Sequence, residues 1–139
     1  MKKPLFRLPS NGEDTEVTRS CKRDNTVRGF SGSNDVINGL GGNDTLAGRS
    51  GNDTLDGGYG DDIYTGGAGA DVFVLNAGQG VDTITDFEVG SDRISLGSRL
   101  HPDSIQLSEV NGNTLVQTAD NESLVVIEGV TGLSSAIFA

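Results

Sequence analysis

Residues 30–74 read FSGSNDVIN, GLGGNDTLA, GRSGNDTLD, GGYGDDIYT and GGAGADVFV when they are divided into blocks of nine. Glycine crowds the first four places of a block, aspartate holds the sixth place and a large apolar residue holds the eighth. The sixth-place residues are Asp35, Asp44, Asp53, Asp62 and Asp71, and the eighth-place residues are Ile37, Leu46, Leu55, Tyr64 and Phe73. A fixed short period of this kind indicates a solenoid, because each unit is too small to bury its own apolar face and must stack on its neighbours.

Each block divides into a turn and a strand. Glycine permits positive φ and close approach of backbones, so the first six places predict a tight turn and the last three a short strand. Two blocks then complete one lap of a flattened coil. Turns stack on turns eighteen residues apart in sequence, at the ~4.8 Å spacing of paired strands.

This stacking predicts two rows of aspartates, one on each edge of the coil. Bare carboxylates ~5 Å apart repel by roughly 3 kcal/mol per pair at an effective dielectric near 20. The five apolar eighth-place side chains do not outweigh this repulsion together with the entropy of ordering a glycine-rich chain. We therefore expect a cation between the turns. Calcium suits the position because it takes six to eight oxygens at flexible angles, backbone carbonyls among them.

The blocks resemble the nonapeptide GGxGxDxUx of the repeats-in-toxin (RTX) calcium-binding proteins, and residues 66–74 match it at every defined place. The resemblance implies an all-β fold, a parallel β-roll solenoid, with Ca²⁺ held by sixth-place aspartates and turn carbonyls one lap apart. It implies ions between Asp35 and Asp53, between Asp53 and Asp71, and between Asp44 and Asp62. The implied carbonyl donors are turn residues such as Gly39, Gly41, Gly42, Gly48, Gly51, Gly57, Gly58, Gly60, Gly66, Gly67 and Gly69.

The pattern is least regular at its two ends. The first block has Phe30, Ser31 and Ser33 where glycine is expected, so the half-site at Asp35 is predicted to be the weakest. Leu40 and Arg49 replace the second-place glycine of the next two blocks, so these two turns lack the residue that enters positive φ most easily. After Val74 the period is lengthened by two residues. Gly78, Gly80 and Asp82 then repeat the spacing of places two, four and six, and Asp82 is predicted to form a fourth site with Asp62.

The chain divides into three predicted parts. Residues 1–28 show neither helical nor strand periodicity and are interpreted as a mostly disordered leader. Residues 29–96 form the calcium-binding roll, which ends on longer strands joined by a turn at Gly90 to Asp92. For Asp86 and Asp92 a turn or capping role and an ion-binding role are equally open. Residues 97–139 carry three strand-like pieces, 104–107, 114–117 and 124–127, and are predicted to form a β cap over the last lap.

Composition bounds the function. Residues 1–28 carry a net charge of +3 and residues 29–139 a net charge of −13. An acidic body argues against nucleic acid and anionic membranes and in favour of cations. No stretch is long and apolar enough for a membrane span or a signal peptide. Cys21 is the only cysteine, so an intramolecular disulfide is excluded, and it is interpreted as a bystander thiol.

Three classes of function remain. The preferred one is a non-enzymatic calcium-binding module that is secreted and folded by extracellular calcium. By resemblance, the C-terminal region also implies a type I exporter as partner and a secretion route without a signal peptide. The second class is the roll and export domain of a larger secreted hydrolase, although HExxH and GxSxG motifs are absent and His101 is the only histidine. The third is a surface or structural protein that self-associates through the roll, and the oligomeric state is left open.

Overall fold

The computed structural model describes residues 23–138 and, by their backbone, residues 15–18. Cys21 and the rest of the predicted leader, residues 1–14 and 19–22, lie outside these residues, as does Ala139.

The described residues form an all-β structure. Two single-turn 3-10 helices, Pro102–Ser104 and Ser135–Ile137, accompany the strands. The strands are β1 (Thr15–Thr18), β2 (Thr26–Arg28), β3 (Asp35–Asn38), β4 (Thr45–Ser50), β5 (Thr54–Asp56), β6 (Ile63–Ala68), β7 (Val72–Leu75), β8 (Asp82–Ile84), β9 (Arg93–Leu96), β10 (Ile105–Val110), β11 (Asn113–Thr118) and β12 (Ser123–Ile127).

Alternate strands belong to opposite sheets, as expected for a flattened coil. One sheet has the order β1-β3-β5-β7-β9, and the other has the order β10-β11-β12-β8-β6-β4-β2. All pairs within the coil are parallel. In its central part the register is eighteen residues, with Ile37 opposite Leu55 and Leu46 opposite Tyr64. The predicted parallel β-roll is therefore confirmed.

The core lies between the two sheets and is built from the eighth places of the blocks. Ile37, Leu46, Leu55, Tyr64 and Phe73 are all fully buried. The rings of Tyr64 and Phe73 meet edge to face, with their centroids 5.8 Å apart. Strands β2 to β6 each bury one large apolar side chain, so the interior of this part of the roll is narrow and the turns at both rims lie close to it.

The roll begins earlier in sequence than residue 29. Strand β2, within the predicted leader, pairs in parallel with β4, and its Val27 is buried in the core opposite Leu46. Strand β1 pairs in the same way with β3. The sequence contains a signal for both strands, because Val17, Val27 and Ile37 are ten residues apart. A search for the nine-residue period alone overlooks that spacing.

The C-terminal strands extend the roll instead of standing apart from it. Strands β10, β11 and β12 form an antiparallel meander, and β12 pairs in parallel with β8. A turn at Asn111 and Gly112 joins β10 to β11, with positive φ at both residues, as a type I′ hairpin requires. Phe138 bridges to Ile94 at the edge of the other sheet. Within residues 23–138, no helix is long and apolar enough to cross a membrane.

Candidate metal centre

Each rim of the roll carries a column of side chains from the sixth places of successive turns. Each backbone N–H donates to Oδ1 of the next residue in its column, over 2.7 to 3.0 Å. Asp62 and Asp82, which the sequence predicts to share a fourth site, are neighbours in one column, although twenty residues separate them. Column A contains Asp35, Asp53, Asp71 and Asp92, and column B contains Asn25, Asp44, Asp62 and Asp82.

The second carboxylate oxygen distinguishes the inner members of the columns from the outer ones. Oδ2 of Asp44, Asp53, Asp62 and Asp71 is buried and has no hydrogen-bond partner. An ionised oxygen buried without a donor is costly, because its hydration is lost and nothing replaces it. A cation beside each of these four oxygens would offset that cost, so they are the candidate metal ligands in the described rims.

The first-place glycines form a cradle around these oxygens. A Cβ atom on Gly48 would overlap Oδ2 of Asp53 and would lie 2.7 Å from the carbonyl oxygen of Gly66, one lap further on. A Cβ atom on Gly39 would meet Oδ2 of Asp44 and the carbonyl oxygen of Gly57 in the same way. Glycine thus leaves open a small space in which a carboxylate oxygen of one lap and a carbonyl oxygen of the next face each other.

The donor set in this space is the set that calcium prefers. One carboxylate oxygen and backbone carbonyls of stacked turns supply hard oxygen ligands at adaptable angles. Among residues 23–138, no three His, Cys, Asp or Glu side chains converge on one point. That is expected for a site in which most ligands are main-chain carbonyls, so the residues present fit Ca²⁺ and fit a metal that prefers nitrogen or sulfur poorly.

The remaining predicted glycines shape the turns. The second-place Gly58 and Gly67 have φ of 83° and 92°, and Leu40 and Arg49 adopt the same left-handed conformation at 75° and 82°. The turn therefore persists where glycine is missing, at a cost in strain. The fourth-place residues Gly42, Gly51, Gly60 and Gly69 also have positive φ and stack closely on each other from lap to lap. Gly41 forms a parallel bridge to Tyr59.

Burial and crowding of like charges change the acidity of the columns. Desolvation, reinforced by neighbouring carboxylates, raises the pKa of Asp53, Asp62 and Asp71 to about 6. It raises the pKa of Asp82 to about 7. The N–H donors from the preceding lap oppose the shift but do not cancel it. These carboxyl groups consequently hold protons more tightly than ordinary aspartates do, and a cation competes with those protons.

A scan against protein families matches residues 23–46 and 38–73 to the RTX calcium-binding nonapeptide repeat, in four copies. Residues 23–73 are RTX repeats. The match begins within the predicted leader and agrees with the early start of the roll at β2. Calcium is the ion that this family binds.

Solved structures of RTX-repeat proteins have the same architecture. The extracellular lipase LipA from Serratia marcescens matches with a TM-score of 0.71 and 25% identity over 86% of this chain, which spans 20% of the lipase. The AlgE6R2 subunit of the Azotobacter vinelandii mannuronan C5-epimerase matches with a TM-score of 0.64 and 25% identity, over 93% of both chains. The AlgE6R3 subunit of the same enzyme matches with a TM-score of 0.58 and 26% identity, over all of this chain and 84% of the subunit. No curated protein matches the sequence.

The ends of the RTX columns are closed by protein donors. Oδ2 of Asp92 accepts the N–H of Glu88 at 2.8 Å, and Oδ2 of Asp82 accepts the hydroxyl of Tyr64 at 3.2 Å. Asp86 stands outside the columns and clamps one turn, because its two oxygens accept the N–H groups of Gly66 and Gly67. The structure thus places Asp86 in a capping role and Asp92 in both a turn and a column.

A second ladder, at the fifth place of the RTX blocks, was not identified from sequence. The N–H of Asn52 donates to Oδ1 of Asn34 at 2.7 Å, and that of Ala70 donates to Oδ1 of Asn52 at 2.9 Å. On the other rim, Asp61 donates to Asn43 in the same way. The signal was the recurrence of Asn before the aspartate. These bonds fasten the outer side of the turns and position the inner column.

Proposed function

We propose that this chain folds as a calcium-binding roll that takes one ion at each of its four unpartnered carboxylate oxygens. The observation that carries the proposal is the burial of Oδ2 of Asp44, Asp53, Asp62 and Asp71 without a donor. The Gly39 and Gly48 cradles bring Oδ2 of Asp44 and of Asp53 beside a carbonyl oxygen of the following lap. By the same stacking, the four ions are assigned to the intervals Asp44–Asp62, Asp53–Asp71, Asp62–Asp82 and Asp71–Asp92. Carbonyl groups such as those of Gly57 and Gly66 complete the ligand sets.

Calcium acts as a folding ligand in this proposal. A ligand that binds only the folded state stabilises it by RT ln(1 + [L]/Kd), which is about 1.4 kcal/mol for millimolar calcium at a site of ~10⁻⁴ M. Several sites add their contributions. Calcium-poor cytosol supplies none of this free energy, and the buried carboxylates then oppose folding. The roll is therefore a module that folds when it reaches a calcium-rich medium.

The same coupling supports secretion as an unfolded chain. A type I exporter that reads a C-terminal signal, without a signal peptide, fits a protein that stays unfolded until it is outside. The similarity to an extracellular lipase supports the destination. The route is tested by expressing the chain together with a type I exporter and measuring the exported fraction for the full chain and for a variant that lacks residues 128–139.

The role after export is proposed to be non-enzymatic. The seven aspartates of the two columns serve the roll itself, and His101, the only histidine of the sequence, is exposed on a loop. The similarity to only a fifth of the lipase keeps a second proposal in place, that the roll serves a larger secreted hydrolase. The size of the native protein in the culture medium, measured with an antibody against the roll, distinguishes a separate module from a domain of a longer enzyme.

Far-UV circular dichroism with calcium and with excess chelator tests the folding proposal. We expect the strand signal to develop as calcium is added and to disappear on chelation. A strand signal already complete in chelator would refute calcium-driven folding. Isothermal titration calorimetry then counts the sites, with Asp53→Asn as the variant that loses a carboxylate facing Asp71.

A further inference from the structure

We propose that the Asp35–Asp53 interval, the first of column A, is closed by the protein's own hydrogen-bond donors and takes no calcium ion. This inference rests on the proposed function, since it concerns which intervals of the calcium-binding roll are occupied. It also departs from the sequence prediction of an ion between Asp35 and Asp53.

The first turn of column A contains one residue more than the turns that follow it. Gly29, and not Phe30, occupies the position of a first-place glycine. A Cβ atom on Gly29 would overlap Oδ2 of Asp35 and lie 2.7 Å from the carbonyl oxygen of Gly48. A Cβ atom on Gly48 would make the same two contacts one lap later, with Asp53 and Gly66. The strand before this turn confirms the shift, because Thr26 lies opposite Thr45 with a register of nineteen residues. Phe30 is therefore an insertion in the turn.

The inserted residue supplies a donor that the regular turns lack. The backbone N–H of Phe30 donates to Oδ2 of Asp35 at 2.6 Å. The corresponding oxygen of Asp53 is buried and has no partner. The distance is short, as hydrogen bonds to ionised carboxylates are.

The other oxygen of Asp35 is satisfied as well. The hydroxyl of Ser33, which stands at a place where other blocks have glycine, donates to Oδ1 at 2.8 Å. Ser33 is fully buried, and its hydroxyl also lies 2.9 Å from the carbonyl oxygen of Phe30. The Phe30 N–H thus takes the place of the cation at Oδ2, and the Ser33 hydroxyl takes the place of the N–H that Oδ1 of a later column member accepts from the preceding lap. The two departures from the repeat, the extra Phe30 and the serine at position 33, act together on one carboxylate.

The first step of column A is consequently independent of calcium, while the later steps depend on it. Closing the first interval with neutral donors lets the solenoid begin without an ion at its first step.

Calcium stoichiometry of the full chain, measured by calorimetry and by native mass spectrometry, tests this inference. Asp35→Asn should leave the number of bound ions unchanged, whereas Asp53→Asn should lower it by one. Loss of an ion in Asp35→Asn, or loss of two in Asp53→Asn, would overturn the inference. Absence of calcium binding by the unmodified chain would instead overturn the proposed function, so the two failures are distinguishable.

A gain of binding provides the converse test. Deleting Phe30 and replacing Ser33→Gly turns the first block into GSGGNDVIN, which matches the regular blocks and removes both donors. We expect this variant to bind one ion more than the unmodified chain. A folded variant with an unchanged ion count contradicts the inference. Should the variant not fold, the comparison of Asp35→Asn with Asp53→Asn decides.

Discussion

The backbone N–H of Asp53 donates to Oδ1 of Asp71 at 2.9 Å, and Oδ2 of Asp71 remains buried without a partner. One side-chain oxygen therefore fastens a lap to the preceding lap, and the other is left for an ion. The same carboxylate favours the fold through its first oxygen and opposes it through its second until calcium arrives.

Replacing an inner aspartate should have opposite effects with and without calcium. Asp62→Asn removes a buried charge flanked by carboxylates, so we expect the calcium-free roll to gain roughly 1 to 3 kcal/mol at pH 8, the size of one such repulsion. The calcium-loaded roll should lose stability because a ligand is gone. Refolding by trimethylamine N-oxide in chelator, where the roll is unfolded, and urea denaturation in millimolar calcium measure the two effects. Asp120→Asn, at an exposed turn of the cap, is the control and should change neither. An equal loss for Asp62→Asn in both buffers contradicts the account.

A methyl group in the cradle should weaken calcium binding. Gly48→Ala places Cβ against Oδ2 of Asp53 and the carbonyl oxygen of Gly66, so we expect the calcium concentration at the folding midpoint to rise at least tenfold. Gly78→Ala is the control for a methyl group outside the cradle, because open space surrounds that position, where, unlike at Gly48, φ is positive, at 74°. It should cost only the ~1 kcal/mol of left-handed strain. Equal shifts for the two variants would show that the cradle has no part in binding.

Stability should depend on pH in opposite directions with and without calcium. Burial raises the pKa of Asp53, Asp62 and Asp71 to about 6 and that of Asp82 to about 7, above the ordinary 3.8. Protonation of these buried carboxyl groups therefore stabilises the calcium-free fold at low pH. This stabilisation is complete below about pH 4 and is lost as the pH rises through about 6 to 7. Calcium affinity should instead fall as the pH drops below about 7, since protons compete for the carboxylates.

Refolding by trimethylamine N-oxide in chelator at pH 5 and pH 8, and calcium titration at the same two values, measure these effects. Greater calcium-free stability at pH 8 than at pH 5 would show that the columns do not carry the stated acidity.

Glycine at the second place of the two turns that lack it should make the roll more stable. Leu40 and Arg49 have φ of 75° and 82°, a conformation that costs an L-residue roughly 1 to 2 kcal/mol. Glycine enters it freely but loses about 0.5 to 1 kcal/mol of chain entropy. We therefore expect Arg49→Gly to raise the thermal midpoint of the calcium-loaded roll slightly. Arg28→Gly, at an exposed strand position of ordinary conformation, should lower it.

Tyr64 should stabilise the stacking of the lengthened lap, which contains Asp82, on the regular laps. Its buried hydroxyl accepts the N–H of Gly57 at 2.9 Å and donates to Asp82 at 3.2 Å. Tyr64→Phe leaves the buried N–H of Gly57 without an acceptor. We therefore expect the free energy of unfolding of the calcium-loaded roll, measured by urea denaturation, to fall by about 1 to 3 kcal/mol. Tyr59→Phe, on a side chain that is 66% exposed, should have no effect. Similar losses in the two variants would remove this role from Tyr64.

Most of the structure of the roll could be predicted from the periodic part of the sequence. A nine-residue repeat with one apolar place specifies parallel laps and their core, which is why Ile37, Leu46 and Leu55 stack as predicted. The pairing of Asp62 with Asp82 was also predictable, because glycine spacing resumes after the two-residue insertion.

The structure at the irregular ends of the roll was harder to predict, because residues there depart from the nine-residue pattern. Val27 enters the core without a sixth-place aspartate near it, since Asn25 holds that position in column B. Phe30 shifts the register inside one turn, and its effect depends on which carboxylate oxygen its N–H reaches. A sequence pattern specifies the carboxylate but not which of its two oxygens is satisfied.

Diffraction from crystals grown in calcium, recorded at a wavelength at which calcium scatters anomalously, tests the central claim most directly. The account predicts anomalous peaks within ligand distance of Oδ2 of Asp44, Asp53, Asp62 and Asp71, and no peak between Asp35 and Asp53. Columns that show no calcium peaks in a fully wound roll would contradict it.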